Sequence, residues 1–308
     1  MTGLLQDRVL AITGAGRGIG ASIATMAAAE GAKVVVNDLG AAVDGTGVDK
    51  DTAAGGVARI TQAGGTAVAN IGDIADYDDA GALVQQAVDT FGRLDVLINV
   101  AGILRDKMIF NMTPEEWAAV LKVHLRGTYN TTKHASVYWR SLKQQDAHHR
   151  LINFTSGSGL HGAPGQPNYA AAKMGIAGLT YSCAAALNRY GVTSNAISPD
   201  ASTRMTDSMG EHRREDQDVR SPDNIAPIVL YLASERSDWC NGQILYTSGP
   251  DIGLFNTPSL VSEIFSDGPW ELSSAFDQIE SAFPSAVMPN TVPAMTGAAS
   301  PRSGAAPQ

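Results

Sequence analysis

A doubly wound α/β fold, with one parallel seven-stranded sheet and helices on both faces, is predicted by three features of the sequence. Short β-rich runs alternate with longer alanine-rich ones, several runs are apolar nearly throughout, and most gaps between runs suit crossover helices. The strands are read at 8–13 (RVLAIT), 32–38 (AKVVVND), 66–71 (TAVANI), 95–99 (DVLIN), 150–155 (RLINFT), 192–198 (VTSNAIS) and 243–247 (QILYT). The segment 79–92, DAGALVQQAVDTFG, has the length and composition of a crossover helix. Residues 1–254 are therefore expected to form one domain. Within it, the Gly- and Asp-rich stretch 40–57 reads as an extended loop after the second strand.

The alternation stops near residue 255. Leu272, Phe276, Ile279 and Phe283 recur at helical spacing, so the extension 255–292 is expected to carry one amphipathic helix over 271–283. Its expected role is packing; covering a neighbouring subunit's site is the sharper alternative. In 293–308, 12 of 16 residues are Ala, Pro, Gly or Ser, a composition that predicts a disordered tail.

Of the 308 residues, 44% are hydrophobic and 17% charged, an ordinary balance for a chain with a sizeable core. A net charge of −9 argues against nucleic acid or an anionic membrane as the main partner. Two cysteines, Cys183 and Cys240, make neither a disulfide framework nor a metal-ligand pattern. The start, MTGLLQDRV, lacks the regions of a signal peptide, and no apolar run reaches the roughly 18–20 residues of a membrane span, so the cytoplasm is the expected location. The adjacent His148 and His149 lack further ligands at useful spacing and are expected in a polar loop.

The first strand leads directly into TGAGRGIG. Gly14, Gly16, Gly18 and Gly20 there precede an alanine-rich helical segment, and a glycine turn in that place lets a pyrophosphate approach the backbone and the positive end of the helix. Asp38 closes the second strand, where a carboxylate can bind the adenosine ribose diol and repel a 2′-phosphate. Arg17 in the turn is the counter-signal, because a cation there could help bind that phosphate; Asp38 tips the expectation to NAD over NADP. Farther on, PNYAAAKMG sets Tyr169 and Lys173 four residues apart, on one face if helical.

In order and spacing these motifs resemble the short-chain dehydrogenase/reductase family over residues 5–254, which implies a Rossmann-type dinucleotide-binding domain. TGAGRGIG, with Ile19 inside it, matches the cofactor turn; GDIAD places Asp73 and Ile74 where the family contacts adenine; NVAG, with Asn99, Ala101 and Gly102, corresponds to the family's N-N-A-G. NFTSGSG and NYAAAK then place Ser156, Tyr169 and Lys173 as the catalytic set, with Ser158 as an alternative serine. The resemblance implies that Tyr169 moves the hydroxyl proton, that Ser156 steadies the reacting oxygen, and that Lys173 also holds the nicotinamide ribose. The chemistry of the pair agrees with this: a phenol with a free pKa near 10 is a poor base at neutral pH, and both a lysine ammonium and the oxidised nicotinamide's charge favour phenolate.

The departures from the pattern are specific. His124 stands where most members place a catalytic asparagine and is expected at the relay site. SPDAS replaces the usual Pro-Gly after the sixth strand, leaving Pro199 and, in the shifted STRMT, Thr203 as the expected nicotinamide contacts. Together with AGILRDK and VHLRGTY, these departures resemble the (3R)-hydroxyacyl-CoA dehydrogenases of the family, implying NAD-dependent oxidation of a fatty or steroid acyl-CoA to the 3-oxo product. The alternatives are a 3-oxoacyl-thioester reductase, a hydroxysteroid dehydrogenase, or a non-catalytic NAD-binding sensor or scaffold. In 202–220, Arg204, Arg213, Arg214 and Arg220 could meet CoA phosphates, but interleaved acids favour a solvated helix face; Met205 and Met209 could line a flexible pocket. No metal is expected, and the resemblance implies a homodimer or homotetramer.

Overall fold

The computed structural model describes residues 3–201 and 220–286, and the chain divides into two units, 1–256 and 257–308. In the first unit the predicted runs become seven parallel strands: β1 (Val9–Thr13), β2 (Lys33–Asn37), β3 (Thr66–Asn70), β4 (Val96–Asn99), β5 (His149–Phe154), β6 (Val192–Asp200) and β7 (Ile244–Ser248). The continuous apolar runs do bury both faces of the sheet. Leu10 and Ile12 join Val34, Val36, Ile98 and Ile152 in one core, while Val9 and Ala11 join Val35, Leu97 and Leu151 in another. Against the first core lie α1 (Gly18–Ala29) and α8 (Ala226–Ala233); against the second lie α3 (Tyr77–Phe91) and α5 (Gly127–Leu142). α3 starts where the Asp76 side chain accepts from the Asp78 and Asp79 amides and ends at left-handed Gly92 (φ 83°), a conformation that glycine adopts without cost.

The order of the parallel strands, β3-β2-β1-β4-β5-β6-β7, puts the switch of winding direction between β1 and β4. The chains leaving those two strands part to opposite sides, and a crevice opens at their carboxyl ends, the usual ligand position in this architecture. Completing the functional elements, α4 (Pro114–Leu121) passes into a π-helical turn at Lys122–Arg126 and then into α5, while α6 (Gly157–His161) and α7 (Pro167–Leu187) follow β5.

Four expectations need correction. The sheet has an eighth strand, β8 (Asp251–Leu254), antiparallel to β7 through a turn at Gly249 and Pro250. It is short and mostly exposed, so its four residues carry little apolar signal. Second, the loop expected at 40–57 ends early: α2 occupies Asp51–Gln62. Gly56 serves packing, since a Cβ there would come 3.0 Å from Val36 Cγ1 on β2. Third, His149 is no loop residue. It opens β5 with 4% exposure and stacks on fully buried Trp139 (ring centroids 5.4 Å apart, 18° between planes), while half-buried His148 pairs with Asp238 at 2.9 Å. Finally, the helix Pro167–Tyr190 is long and apolar enough, by length and composition, to cross a membrane. In this fold its Ile176 and Thr180 are buried and α7 runs along β6.

Trp139 also donates to the Leu94 carbonyl at 2.7 Å, so it joins α5 to the segment before β4. Trp139→Ala is expected to cost about 3–5 kcal/mol of unfolding free energy, read by urea denaturation. A loss under about 1 kcal/mol would mean that the site collapses around the missing ring.

Within the second unit, α9 (Leu272–Ala282) forms where the spacing predicts it, with Leu272, Phe276 and Ile279 exposed. The expected tail, 293–308, lies outside the described residues.

Candidate active site

A cavity of about 400 Å³ opens at the carboxyl ends of β1 and β4. Its floor is the glycine turn, with Gly14, Arg17, Gly18, Ile19 and Gly20 on the surface. Gly14 has φ 65°, and a Cβ there would lie 2.8 Å from Ala101 Cα; a Cβ at Gly20 would lie 2.2 Å from the Gly14 carbonyl oxygen. Backbone therefore approaches backbone where a pyrophosphate needs space and amide donors, so the turn fits a dinucleotide. Gly16 lies beside the cavity rather than on its surface, and its amide donates to Asp38 Oδ2 at 2.9 Å.

Asp38 lines the cavity next to the turn, and its Oδ1 accepts from the Gly40 amide at 2.8 Å. Asp73 and Ile74 form another wall: Asp73 Oδ1 accepts from the Ala75 amide and the Ile74 carbonyl accepts from Asn130 of α5. Ala101, Gly102 and Pro199 are also on the surface. Asn99 is not. Its buried amide donates to Asn153 Oδ1 at 3.0 Å and accepts from Thr131 Oγ1 at 2.7 Å, so it knits β4, β5 and α5 together while Val100 takes the position facing the cavity. Thr203, Arg204, Met205, Met209, Arg213 and Arg214 fall outside the described residues. Arg220 is not on a solvated face: its side chain is 15% exposed and pairs with Asp200.

At the other end of the cavity α7 presents Tyr169 and Lys173. Lys173, 4% exposed, donates from Nζ to the Phe154 carbonyl at 2.7 Å, and Nζ stands 5.5 Å from the Tyr169 ring centroid. Burial pushes the ammonium down to about 7 and the Tyr169 phenol up to about 12. For the phenol, a hydrogen bond from Ser156 acts the other way and the Asp106 carboxylate adds to the rise. In the chain alone desolvation raises the phenol and Lys173 donates to a backbone carbonyl, so the expected lowering by Lys173 and the nicotinamide's charge together is a property of the cofactor-bound protein.

The hydrogen bonds distinguish the two serines. Ser156, at the N-terminus of α6, accepts from the Ser158 amide at 3.2 Å and is the group that offsets part of the rise of the Tyr169 phenol. The Ser158 hydroxyl instead donates to Gln166 Oε1 at 2.9 Å, and Gln166 Nε2 donates to Asp106 at 2.8 Å. A carboxylate only accepts, so Asp106 dictates which end of the Gln166 amide faces Ser158. The sequence reading missed both Gln166 and Asp106; they lie 60 residues apart, and nothing local marks the pairing.

His124 sits in the π-helical turn, 1% exposed. Single π turns recur at functional sites because they re-aim one side chain. Its ring meets Tyr169 edge-on (centroids 5.1 Å, 90°), and a Cβ at Gly102 would fall 2.2 Å from its Cε1, which explains glycine in NVAG. Nε2 lies 2.7 Å from the Ile103 carbonyl, while Nδ1 has no hydrogen-bond partner among the described residues. Burial, followed by the charge of Lys173, pushes the imidazole down to about 3, so it is neutral throughout the physiological range.

Comparison with known proteins agrees with this geometry. Residues 14–249 match the family model described as enoyl-(acyl carrier protein) reductase. The chain is 42% identical over 273 residues to a protein named hydroxyacyl-CoA dehydrogenase ChsB1 of Mycobacterium tuberculosis, covering 86% of this chain and 84% of that one. It is 41% identical over 232 residues to the peroxisomal multifunctional enzyme type 2 of Mus musculus, spanning 75% of this chain but 30% of that longer protein. A crystal structure of a short chain dehydrogenase from Mycobacterium avium superposes with a TM-score of 0.80 at 41% identity, covering 91% of this chain and 95% of the other.

Proposed function

Because the chain belongs to the short-chain dehydrogenase/reductase family, oxidoreductases of the CH–OH group that use a nicotinamide cofactor, we propose that it oxidises (3R)-hydroxyacyl-CoA thioesters to their 3-oxo forms with NAD. The observation that carries this reading is the meeting of Tyr169, Lys173 and His124 at one end of a cavity whose other end is a glycine turn, with Ser156 off the cavity surface at the start of α6. When bound, the oxidised nicotinamide supplies a hydride acceptor and a positive charge.

The rest falls to the chain. Gly14, Gly18 and Gly20 admit the pyrophosphate, Asp38 faces the adenosine ribose, and Asp73 and Ile74 flank the adenine. Tyr169 accepts the substrate hydroxyl proton. Because burial holds its phenol up to about 12, it becomes a base only when positive charge is brought against it. Ser156 donates to the reacting oxygen and so offsets the charge that develops there. Lys173, poised at about 7, can pass a proton on at little cost. His124, held neutral, contributes an unpartnered ring nitrogen, Nδ1, rather than a charge, with Nε2 engaged by the Ile103 backbone. NAD is favoured because Asp38 borders the turn while Arg17 is occupied by Asp49 at 2.8 Å. The same reading carries a homodimer or homotetramer through α5 and α7, where Tyr129, Val137 and Met174 are exposed.

The test is NADH formation from NAD and a medium-chain (3R)-hydroxyacyl-CoA, with the (3S) epimer and a free hydroxysteroid alongside. Turnover confined to the (3R) thioester is expected. Turnover of the steroid alone would reject the thioester and keep the oxidoreductase.

A further inference from the structure

We propose that Asp49 and Thr52 act as a second determinant of cofactor choice, engaging one arm of the Arg17 guanidinium and so weakening its hold on a 2′-phosphate. The proposal rests on the NAD reading above and adds to Asp38 two residues from the region after β2.

Arg17 is the N-cap residue of α1 and lies on the cavity floor. A guanidinium beside a helix N-terminus and exposed backbone amides is well suited to a phosphate, because both the fork of donors and the helix end favour anions. Here one arm of that fork is taken. One Arg17 Nη donates to Asp49 Oδ2 at 2.8 Å and also to Thr52 Oγ1. Thr52, in the first turn of α2, donates its hydroxyl to the same carboxylate oxygen at 2.8 Å. Asp49 is held without any help from Arg17: Oδ1 accepts from the Asp51 amide at 3.1 Å, and the Asp49 amide donates to the Leu39 carbonyl at 3.1 Å. The Thr52 and Asp51 hydrogen bonds keep its carboxyl below the ordinary carboxylate range, so it stays charged. Arg17 therefore meets a fixed acceptor rather than a mobile one.

The surroundings make the turn a nearly balanced charge cluster. Arg59 of α2 donates to the Gly16 carbonyl at 2.7 Å, and Asp38 accepts from the Gly16 and Gly40 amides. Two guanidinium groups and two carboxylates thus converge on one glycine turn. A phosphate arriving there would face both acids and would compete with Asp49 for Arg17. The Arg17 and Asp49 side chains are 37% and 49% exposed, so water and salt weaken the pair and its effect is a bias rather than a block.

The experiment is isothermal titration of the full chain with NAD, NADP and adenosine 2′,5′-bisphosphate, for the wild type and for Asp49→Asn, Asp38→Asn, the double variant, and Asp49→Asn with Arg17→Ala. Asn at 49 keeps the shape but turns an amide toward Arg17. Asp49→Asn is expected to tighten the two 2′-phosphorylated ligands on the order of fivefold, with NAD unchanged. The double variant should exceed either single one, and Arg17→Ala should abolish the gain. Thr52→Val, which removes the hydroxyl that braces both partners, is the second variant should Asp49→Asn melt early; it too should tighten the bisphosphate. A wild type that prefers NAD with unchanged NADP binding in Asp49→Asn and Thr52→Val overturns the latch alone, as does a gain that survives Arg17→Ala. A wild type that binds NADP more tightly than NAD overturns the NAD assignment and the latch together.

Discussion

Tyr169→Phe is expected to lower kcat by about 10²- to 10⁴-fold, the usual contribution of a positioned acid–base group, while the dissociation constant for NAD stays within about twofold. The substitution keeps the ring that lies edge-on against His124 and removes only the hydroxyl bonded to Ser156. Stopped-flow single turnover separates the hydride step from product release and is the measurement to make. Turnover within tenfold of wild type would transfer the proton to another group. A companion titration of phenol absorbance, comparing wild type with Tyr169→Phe, should place the Tyr169 transition near 12 in the free protein and lower when NAD is bound. The downward shift is required because the protein alone raises the phenol rather than lowering it.

Acid should destabilise the fold well above the range where carboxylates titrate. Burial pushes His149 down to about 4 and His124 down to about 3, from an ordinary value of 6.5. Between those values the unfolded chain binds protons that the native chain refuses, so stability rises with pH and falls as pH drops from about 6.5. With both histidines refusing, the loss between pH 6.5 and 4.5 is on the order of 4 kcal/mol. Asp106, whose carboxyl burial pushes upward, contributes with the opposite sign, whereas the lowered Asp49 and Asp76 act only below their unfolded values. Urea denaturation across this pH range measures the slope. His149→Phe keeps a ring to stack on Trp139 and should remove about half of it; an undiminished slope in that variant would assign the linkage elsewhere.

Long-period features were legible in the chain itself. All seven parallel strands fall within two residues of their apolar runs, because a strand buried on both faces must be apolar along its length whatever its neighbours are. The glycine turn was equally visible, since the positive φ of Gly14 and the close approach of Gly20 to the Gly14 carbonyl are local demands. Tyr169 and Lys173 share a helix, so their juxtaposition follows from spacing alone.

Other features depended on distant partners. Gly55 and Gly56 read as loop because glycine disfavours helices; only the closeness of Val36 on β2 shows that one of them permits packing. Asn99 sits in a cofactor-like motif, yet its amide is taken by Asn153 and Thr131, 54 and 32 residues away. His149 resembled surface until Trp139 covered it. The orientation of Gln166 by Asp106 and the occupation of Arg17 by Asp49 are likewise pairings across loops. The sequence by itself determined the winding of the sheet, the glycine turn and the pairing of Tyr169 with Lys173 on one helix, because periodicity and backbone sterics act over a few residues. Which groups are charged, which donors are free and which acids face the turn was decided by the tertiary structure. Desolvation and hydrogen-bond competition depend on what the fold brings near, and no local pattern encodes that.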